Sequence, residues 1–213
     1  MTYIEQKRRI DFTLALIGLI VLSPLFIGIM VMIKLESKGP VFFKQKRVGI
    51  HKSHFNILKF RTMRIDTPKD TPTHLLPDPD QYITKIGKFL RKTSLDELPQ
   101  IINILKGEMA IIGPRPALWN QYDLIEEREK YSANDILPGL TGWAQINGRD
   151  ELPIEIKAQL DGYYVKVLSF QMDLICFMRT LISVIKSEGI LEGGITSKGK
   201  EVASTNKSEN KSD

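Results

Sequence analysis

The stretch FTLALIGLIVLSPLFIGIMVMI, residues 12–33, runs for 22 residues without a charged side chain. A helix that crosses a bilayer needs about 20 apolar residues, so the length alone predicts a membrane helix. Ser23 and Pro24 stand at its centre, and a proline there removes a backbone hydrogen bond and kinks the helix. Each arm of roughly ten to twelve residues is about 15–18 Å long, close to half of the hydrocarbon core.

Basic residues flank this segment on both sides: Lys7, Arg8 and Arg9 precede it, and Lys34, Lys38, Lys44, Lys46 and Arg47 follow it. Basic flanks prefer the cytoplasmic side. A re-entrant hairpin bent at Ser23-Pro24 keeps both clusters there, and the Ser23 hydroxyl can satisfy a freed backbone carbonyl. We therefore predict the hairpin, with an ordinary kinked span as the alternative. A cleaved signal peptide is disfavoured, because no small-residue cleavage site ends the run.

The bulk composition describes one domain of 213 residues with 42% hydrophobic and 26% charged residues. A net charge of +5 predicts an anionic partner: nucleic acid, an acidic membrane surface or a phosphorylated small molecule. Charge alone does not choose among these. The single cysteine, Cys176, excludes an intrachain disulfide.

Periodicity and turn residues divide the chain into three parts: a membrane hairpin at 1–35, a cytoplasmic domain at 36–193 and a disordered polar tail at 194–213. Residues 41–43 and 55–60 predict two strands around a loop that contains Gly49. Residues 66–80, rich in proline and aspartate, predict a surface loop. The predicted fold is α+β and predominantly helical, with an N-terminal re-entrant membrane helix, a small β-hairpin and amphipathic interfacial helices.

Helical spacing of apolar residues covers 82–109 with a polar break at 91–99, and then 119–130, 154–164 and 169–185. The last of these stretches mixes apolar residues with Arg179 and is flanked by Lys166 and Lys186. It fits a helix on a membrane surface, and packing in the protein core fits equally well.

The polar break RKTSLDELPQ, residues 91–100, has two interpretations. Ser94 with Glu97, or Thr93 with Asp96, forms a capping box that merely starts a helix. Pro99 favours Asp96 as the cap, because Pro99 is then the third helical residue and needs no amide hydrogen. A helix tip attracts phosphate and stabilises an ionised carboxylate, which suits a carboxylate nucleophile. Taken alone, however, such a pair is structural in most proteins.

Two later segments have the composition of phosphate or nucleotide loops. GPRP at 113–116 places Arg115 on a stiff turn, and PGLTGWAQINGR at 138–149 combines glycines and amide side chains with Arg149. Arginine presents a fixed fork of donors to phosphate, and glycine allows a close backbone approach.

The order of these motifs resembles the bacterial sugar transferase family, the monotopic phosphoglycosyl transferases that include initiating enzymes of capsule, exopolysaccharide and N-glycan assembly. The resemblance covers roughly residues 5–190. It is carried by Lys7-Arg8 with Asp11, Ser23-Pro24, QKRVG at 45–49, KFRTM at 59–63, SLDEL at 94–98, KGEM at 106–109, GPRP at 113–116 and the 138–149 loop. Glu108 and Ala110 depart from the family's more frequent aspartate and serine. Longer relatives carry extra N-terminal membrane helices, so the chain resembles the minimal catalytic form.

This resemblance implies that Asp96 attacks the β-phosphate of a UDP-sugar, releases UMP and passes the phosphosugar to polyprenyl (undecaprenyl) phosphate in a ping-pong reaction. Glu97 would bind or position Mg²⁺. The expected substrate-binding residues are Arg91, Arg115, Arg149, Lys59, Arg61 and Gln145.

The same resemblance implies a bacterial inner-membrane enzyme whose active site faces the cytoplasm and which binds no nucleic acid beyond its nucleotide donor. We expect an N-acetylated amino sugar as the transferred sugar, although no residue pattern identifies it. Whether the protein forms a homodimer is left open. Two alternatives remain: a membrane-anchored binding protein without catalysis, and a glycosyl transferase that moves only the sugar and releases UDP.

Overall fold

A computed structural model describes residues 2–67, 81–148 and 152–186. The helices are α1 Tyr3–Glu36, α2 Lys85–Lys92, α3 Gln100–Leu105, α4 Tyr122–Glu129, α5 Trp143–Ile146, α6 Ile154–Lys166 and α7 Phe170–Lys186. The strands are β1 Phe42–Val48, β2 His54–Phe60, β3 Ala110–Ile112 and β4 Gly139–Thr141. The predicted α+β, mainly helical composition is confirmed. The predicted tail and residues 68–80 of the predicted loop lie outside the described residues.

Helix α1 runs for 34 residues with Pro24 inside it. Pro24 has no amide hydrogen, so the carbonyl of Ile20, one turn earlier, loses its ordinary helical donor. The Ser23 hydroxyl donates to this carbonyl at 2.8 Å. The predicted task of Ser23 is therefore confirmed, whereas the re-entrant placement of the helix stays a prediction.

The two faces of α1 differ in burial. Ala15, Phe26, Ile29 and Ile33 are buried against the rest of the domain. The exposed large apolar residues of the same helix are Ile4, Ile10, Phe12, Leu14, Leu16, Ile17, Ile20, Val21, Leu25, Ile27, Val31, Met32 and Leu35. Within the described residues, α1 is the one helix long and apolar enough to cross a membrane. An apolar surface of this extent is uncommon on soluble monomers and typical of membrane or protein contact.

The predicted hairpin is confirmed as an antiparallel pair, with Phe42 opposite Phe60 and Val48 opposite His54. The buried ring of Phe60 stacks on Phe42 with 5.6 Å between centroids and makes an edge-to-face contact with Phe26 at 5.3 Å. Aromatic contacts of this kind contribute beyond their buried area. They fix the hairpin against the C-terminal half of α1.

The two predicted helices on either side of the polar break are α2 and α3, but the predicted cap is wrong. Helix α3 begins at Gln100 with Pro99 as its N-cap, and Leu95–Glu97 form a separate 3-10 turn. Pro99 cannot donate to the carbonyl of Leu95, so the amide of Leu98 donates to it instead, at 3.2 Å. The capping box fails as well, since the Ser94 side chain makes no capping hydrogen bond.

Asp173 of α7 joins the start of α1 to the last two described helices inside the protein. Its carboxylate accepts hydrogen bonds from Tyr3 at 2.6 Å, Lys7 at 2.5 Å and Tyr164 at 2.5 Å. A buried charge is tolerated where it is paired and fully hydrogen-bonded, as it is here. The start of α1 is thereby bound to α6 and α7.

For helix α7 the structure confirms packing in the core on one side, whereas contact with a membrane surface stays a prediction. Met172 and Cys176 are buried in the core. The opposite side carries a row of exposed apolar residues: Phe170, Leu174, Ile175, Phe177, Met178, Leu181 and Ile182. This exposed row favours contact with a membrane surface for that side of the helix.

Candidate active site

Two carboxylates and three cations from four separate segments meet beside the 3-10 turn. Lys59 of β2 donates to Glu97 at 2.7 Å and lies 4.0 Å from the Asp96 carboxylate. Arg115, on the turn after β3, donates to the same oxygen of Glu97 at 3.1 Å. Arg91 of α2 lies close enough to Asp96 to act on its charge. The structure thus brings together five of the residues that the sequence singled out.

The two neighbouring carboxyls have opposite electrostatics. Burial raises the pKa of Asp96 to about 6, Glu97 adds to the rise, and Lys59, Arg91 and Arg115 counteract it. Burial also works against ionisation of Glu97, but Lys59 and Arg115 outweigh it and hold the pKa of Glu97 well below its usual range. Glu97 is therefore firmly ionised and occupied by cations. Asp96 has no hydrogen bond within the described residues, so its carboxylate is available for chemistry.

Asn103 holds the strand that carries Lys59, a task that the sequence did not reveal. It is fully buried on α3, where its side-chain oxygen accepts from the amide of Leu58 at 3.0 Å and its nitrogen donates to the carbonyl of Asn56 at 2.8 Å. Glu108 accepts from the same nitrogen at 2.7 Å. A single asparagine among isoleucines was the available signal, because buried amides need partners.

A buried ion pair holds the backbone of Arg115 in place. Arg128 of α4 donates to the backbone carbonyl of Arg115 at 3.0 Å and to Asp161 of α6 at 2.6 Å. The side chains of Arg128 and Asp161 are 5% and 1% exposed, so breaking the pair would leave an unpaired buried charge. Thr62 plays a smaller part by accepting from Arg91 at 2.9 Å.

The 138–149 loop lies directly against the turn that carries Arg115. Strand β4 pairs in parallel with β3, and a Cβ on Gly142 would come 2.0 Å from the carbonyl oxygen of Gly113. Glycine at this position is what permits the approach. Gln145 follows on this loop with both amide atoms buried and without hydrogen-bond partners among the described residues. Arg149, the remaining candidate on this loop, lies outside the described residues.

Arg61 is the one predicted substrate-binding residue whose surroundings point elsewhere. Its guanidinium is buried and donates to the carbonyl of Lys38 at 2.6 Å and to both oxygens of Ser37 at 2.8 Å. Burial also lowers its pKa. These contacts assign Arg61 to holding the turn after α1, because both of its terminal nitrogens already donate to Ser37 and Lys38.

A metal at this site would be held by few protein ligands. No group of three or more metal-binding side chains occurs in the part of the chain that the structure describes. Glu97 nevertheless offers a carboxylate beside Asp96, and Mg²⁺ commonly takes one or two carboxylates together with water and substrate phosphates. The donor set therefore fits Mg²⁺ bound together with a diphosphate substrate.

Comparison with known proteins places these residues in a wider context. The family model described as bacterial sugar transferase matches residues 2–187. The chain is 42% identical over 184 residues to the uncharacterized sugar transferase EpsL of Bacillus subtilis, covering 86% of this chain and 89% of the relative.

Two longer relatives have more specific names. One is the UDP-N-acetylgalactosamine-undecaprenyl-phosphate N-acetylgalactosaminephosphotransferase of Aeromonas hydrophila, 38% identical over 88% of this chain and 45% of its own. The other is the UDP-glucose:undecaprenyl-phosphate glucose-1-phosphate transferase of Escherichia coli, 39% identical over 79% of this chain and 38% of its own. The chain thus spans less than half the length of these two relatives.

Proposed function

This chain belongs to the bacterial sugar transferase family, as its motifs indicate, and we propose that it moves a sugar 1-phosphate from a UDP-sugar to polyprenyl phosphate through a covalent intermediate on Asp96. The names of the Aeromonas and Escherichia relatives support phosphoglycosyl transfer as its activity. They speak against a binding protein without catalysis and against transfer of the sugar alone.

The observation that carries the proposal is the difference between the two carboxyls. Asp96 is 13% exposed, lacks a hydrogen-bond donor among the described residues and has a pKa near 6, so it is ionised at neutral pH but poorly stabilised. A carboxylate in this state is a better nucleophile than one already satisfied by cations, as Glu97 is. Asp96 is therefore assigned as the nucleophile and Glu97 as the group that organises charge.

In the first step a carboxylate oxygen of Asp96 forms a bond to the β-phosphorus of the donor. The bond from that phosphorus to the bridging oxygen breaks, and UMP leaves with the electron pair. In the second step a phosphate oxygen of the polyprenyl phosphate attacks the same phosphorus and releases the Asp96 carboxylate. Neither step requires a protein acid or base, which agrees with phosphoryl transfer by positioning and electrostatics.

Lys59, Arg91 and Arg115 stabilise the negative charge that builds up on the phosphoryl oxygens and on departing UMP. Arginine suits this task because its charge persists at neutral pH and its donors match phosphate. Glu97 would hold Mg²⁺, which when bound would neutralise charge on the diphosphate. Gln145 is assigned to substrate binding, because its buried amide has donors and acceptors to offer.

The membrane placement that we propose is the re-entrant one, in the bacterial inner membrane with the active site on the cytoplasmic side. The two ends of α1 bind one and the same domain, through Tyr3 and Lys7 at the start and through Glu36 at the end. Glu36 accepts from the amide of Lys85 at 2.7 Å. Because one domain binds both ends of α1, both ends are expected on the side of the membrane where that domain lies. This supports a re-entrant hairpin over a spanning helix.

Topology labelling tests this placement. Tags at residues 1 and 213 are expected to be protected in intact spheroplasts and labelled only after permeabilisation, because both basic flanks favour the cytoplasm. A periplasmic loop tag on a known spanning protein serves as the control. Labelling of residue 1 from outside would instead indicate a true span.

The pH profile tests the ionisation state of Asp96. Since the unprotonated form attacks and its pKa is about 6, kcat/KM is expected to fall below that pH by about tenfold per unit and to be flat just above it. An ordinary aspartate would keep the rate constant down to about pH 4. An acid limb that begins only near pH 4 would contradict the assignment.

The reaction class and the donor are tested together by offering purified protein a panel of UDP-sugars with polyprenyl phosphate. We expect UMP as the nucleotide product, and we expect an N-acetylated amino sugar, like that in the name of the Aeromonas relative, to be the preferred donor. Release of UDP would show transfer of the sugar alone. Release of neither nucleotide from any donor would leave only a binding function.

A further inference from the structure

A second concave site lies away from the two carboxylates, between the first turns of α1 and the end of α3. It is an open cavity of about 590 Å³. Cations from two segments, Arg8 and Arg9 of α1 and Lys106 after α3, lie on its lining. Phe12, Ile104 and Met109 supply an apolar wall. The cavity therefore combines a cationic part with an apolar part.

The three cations are available to a ligand. All are exposed, and none has an ion-pair partner within residues 2–67, 81–148 and 152–186. Arg8 lies over Gly107, where a Cβ would come 3.0 Å from the guanidinium. The acid on the lining, Asp11, is buried and paired with Lys7 at 3.5 Å, so it offsets the cationic charge only in part.

The apolar wall continues onto the lipid-facing side of α1. Phe12 is 48% exposed and is one of the outward apolar residues on that helix. With α1 placed in the membrane as proposed above, the cations lie at headgroup level and the wall faces the acyl region. Basic pockets beside membrane helices on the cytoplasmic side suit anionic lipid headgroups.

The position of the cavity argues against the acceptor as its natural occupant. The cavity adjoins the C-terminal end of α3, whereas Asp96 precedes its first residue. None of Asp96, Glu97, Lys59, Arg91 and Arg115 lies on the lining of the cavity. A phosphate held by Arg8, Arg9 and Lys106 would therefore lie outside the group of residues that surrounds Asp96.

We propose that this cavity binds an anionic glycerophospholipid, with its phosphate on Arg8, Arg9 and Lys106 and an acyl chain along Phe12 and Met109. The bound lipid would fix the depth of α1 at the membrane surface. This inference rests on the proposed membrane placement and is independent of the chemistry at Asp96.

Photolabelling of the full chain tests the site. The protein is placed in phosphatidylcholine nanodiscs that contain photoactivatable phosphatidylglycerol, and labelled peptides are mapped by mass spectrometry. Label is expected on peptides that contain residues 8–13 and 104–109. The triple variant Arg8→Gln, Arg9→Gln and Lys106→Gln should reduce it at least about tenfold, because each surface cation contributes to anionic lipid binding. The matched control removes three exposed lysines elsewhere: Lys44→Gln, Lys52→Gln and Lys130→Gln.

Competition with unlabelled ligands distinguishes a phospholipid from the other molecules that carry a phosphate. Unlabelled phosphatidylglycerol should displace the label, while inorganic phosphate and polyprenyl phosphate should not. Displacement by polyprenyl phosphate would overturn the proposal in favour of an acceptor site. The proposal would also be overturned if the triple variant kept the same amount of label, or if the label were found on other peptides. If the triple variant cannot be purified, the single change Lys106→Glu at an exposed position replaces it, with the same expected loss. UMP release is assayed separately, so a failure of the Asp96 chemistry would not alter this result.

Discussion

Asp96→Asn is expected to lower the rate of UMP release by more than about 10³-fold and to abolish any phosphosugar adduct, while membrane association is unchanged. The asparagine side chain keeps the size and position of aspartate but lacks a nucleophilic carboxylate oxygen. The side chain is partly buried and contributes no hydrogen bond to the fold within the described residues. The loss should therefore be chemical and not structural.

The matched control is Asp123→Asn, which removes an exposed carboxylate from α4 that has no contact with Lys59, Arg91 or Arg115 within the described residues. It is expected to retain the full rate. The measurement is the initial rate of UMP formation with membrane-reconstituted protein at equal amounts. Substantial turnover by the Asp96 variant would refute the assignment of the nucleophile.

Glu97→Gln is expected to reduce kcat/KM by about 10² to 10³-fold, the range found when one preorganised electrostatic group is removed. Loss of the charge breaks the ion pairs with Lys59 and Arg115 and weakens the proposed Mg²⁺ site. The variant should also need more Mg²⁺ for half-maximal rate.

A second effect distinguishes an electrostatic role of Glu97 from a merely structural one. The negative charge of Glu97 helps to raise the pKa of Asp96, so the acid limb of the pH profile should move to lower pH in the variant. Glu126→Gln, at an exposed position of α4, is the control. It should change neither kcat/KM nor the pH at which the acid limb begins. A slower variant with an unmoved limb and unchanged Mg²⁺ dependence would contradict this role.

Local signals explain what could be predicted of the fold. Uninterrupted apolar sequence marked α1, the proline at position 24 predicted the hydrogen bond from Ser23, and helical periodicity marked α2, α3, α4, α6 and α7. Each of these depends on neighbours within a few residues along the chain. Strands β3 and β4 were missed, because three residues each are too short for periodicity and their pairing joins positions 110 and 139.

In the candidate site, too, local sequence identified the residues but not the contacts between them. Its carboxylates, Lys59 and Arg115 were named from motifs, but their meeting depends on contacts between segments 38 and 18 residues apart in the chain. Arg61 stands in the same motif as Lys59, and no pattern in the sequence distinguished the arginine that holds backbone from the lysine that reaches the carboxylates. Burial decides between them, and burial follows from tertiary packing.

The most direct test of the central claim is the mass of the protein after incubation with its UDP-sugar donor in the absence of polyprenyl phosphate. We predict a gain equal to one sugar phosphate, located on the peptide that contains Asp96 and removed when polyprenyl phosphate is added. Sustained release of UMP from protein whose peptides remain unmodified, or a sugar phosphate on another residue, would contradict it.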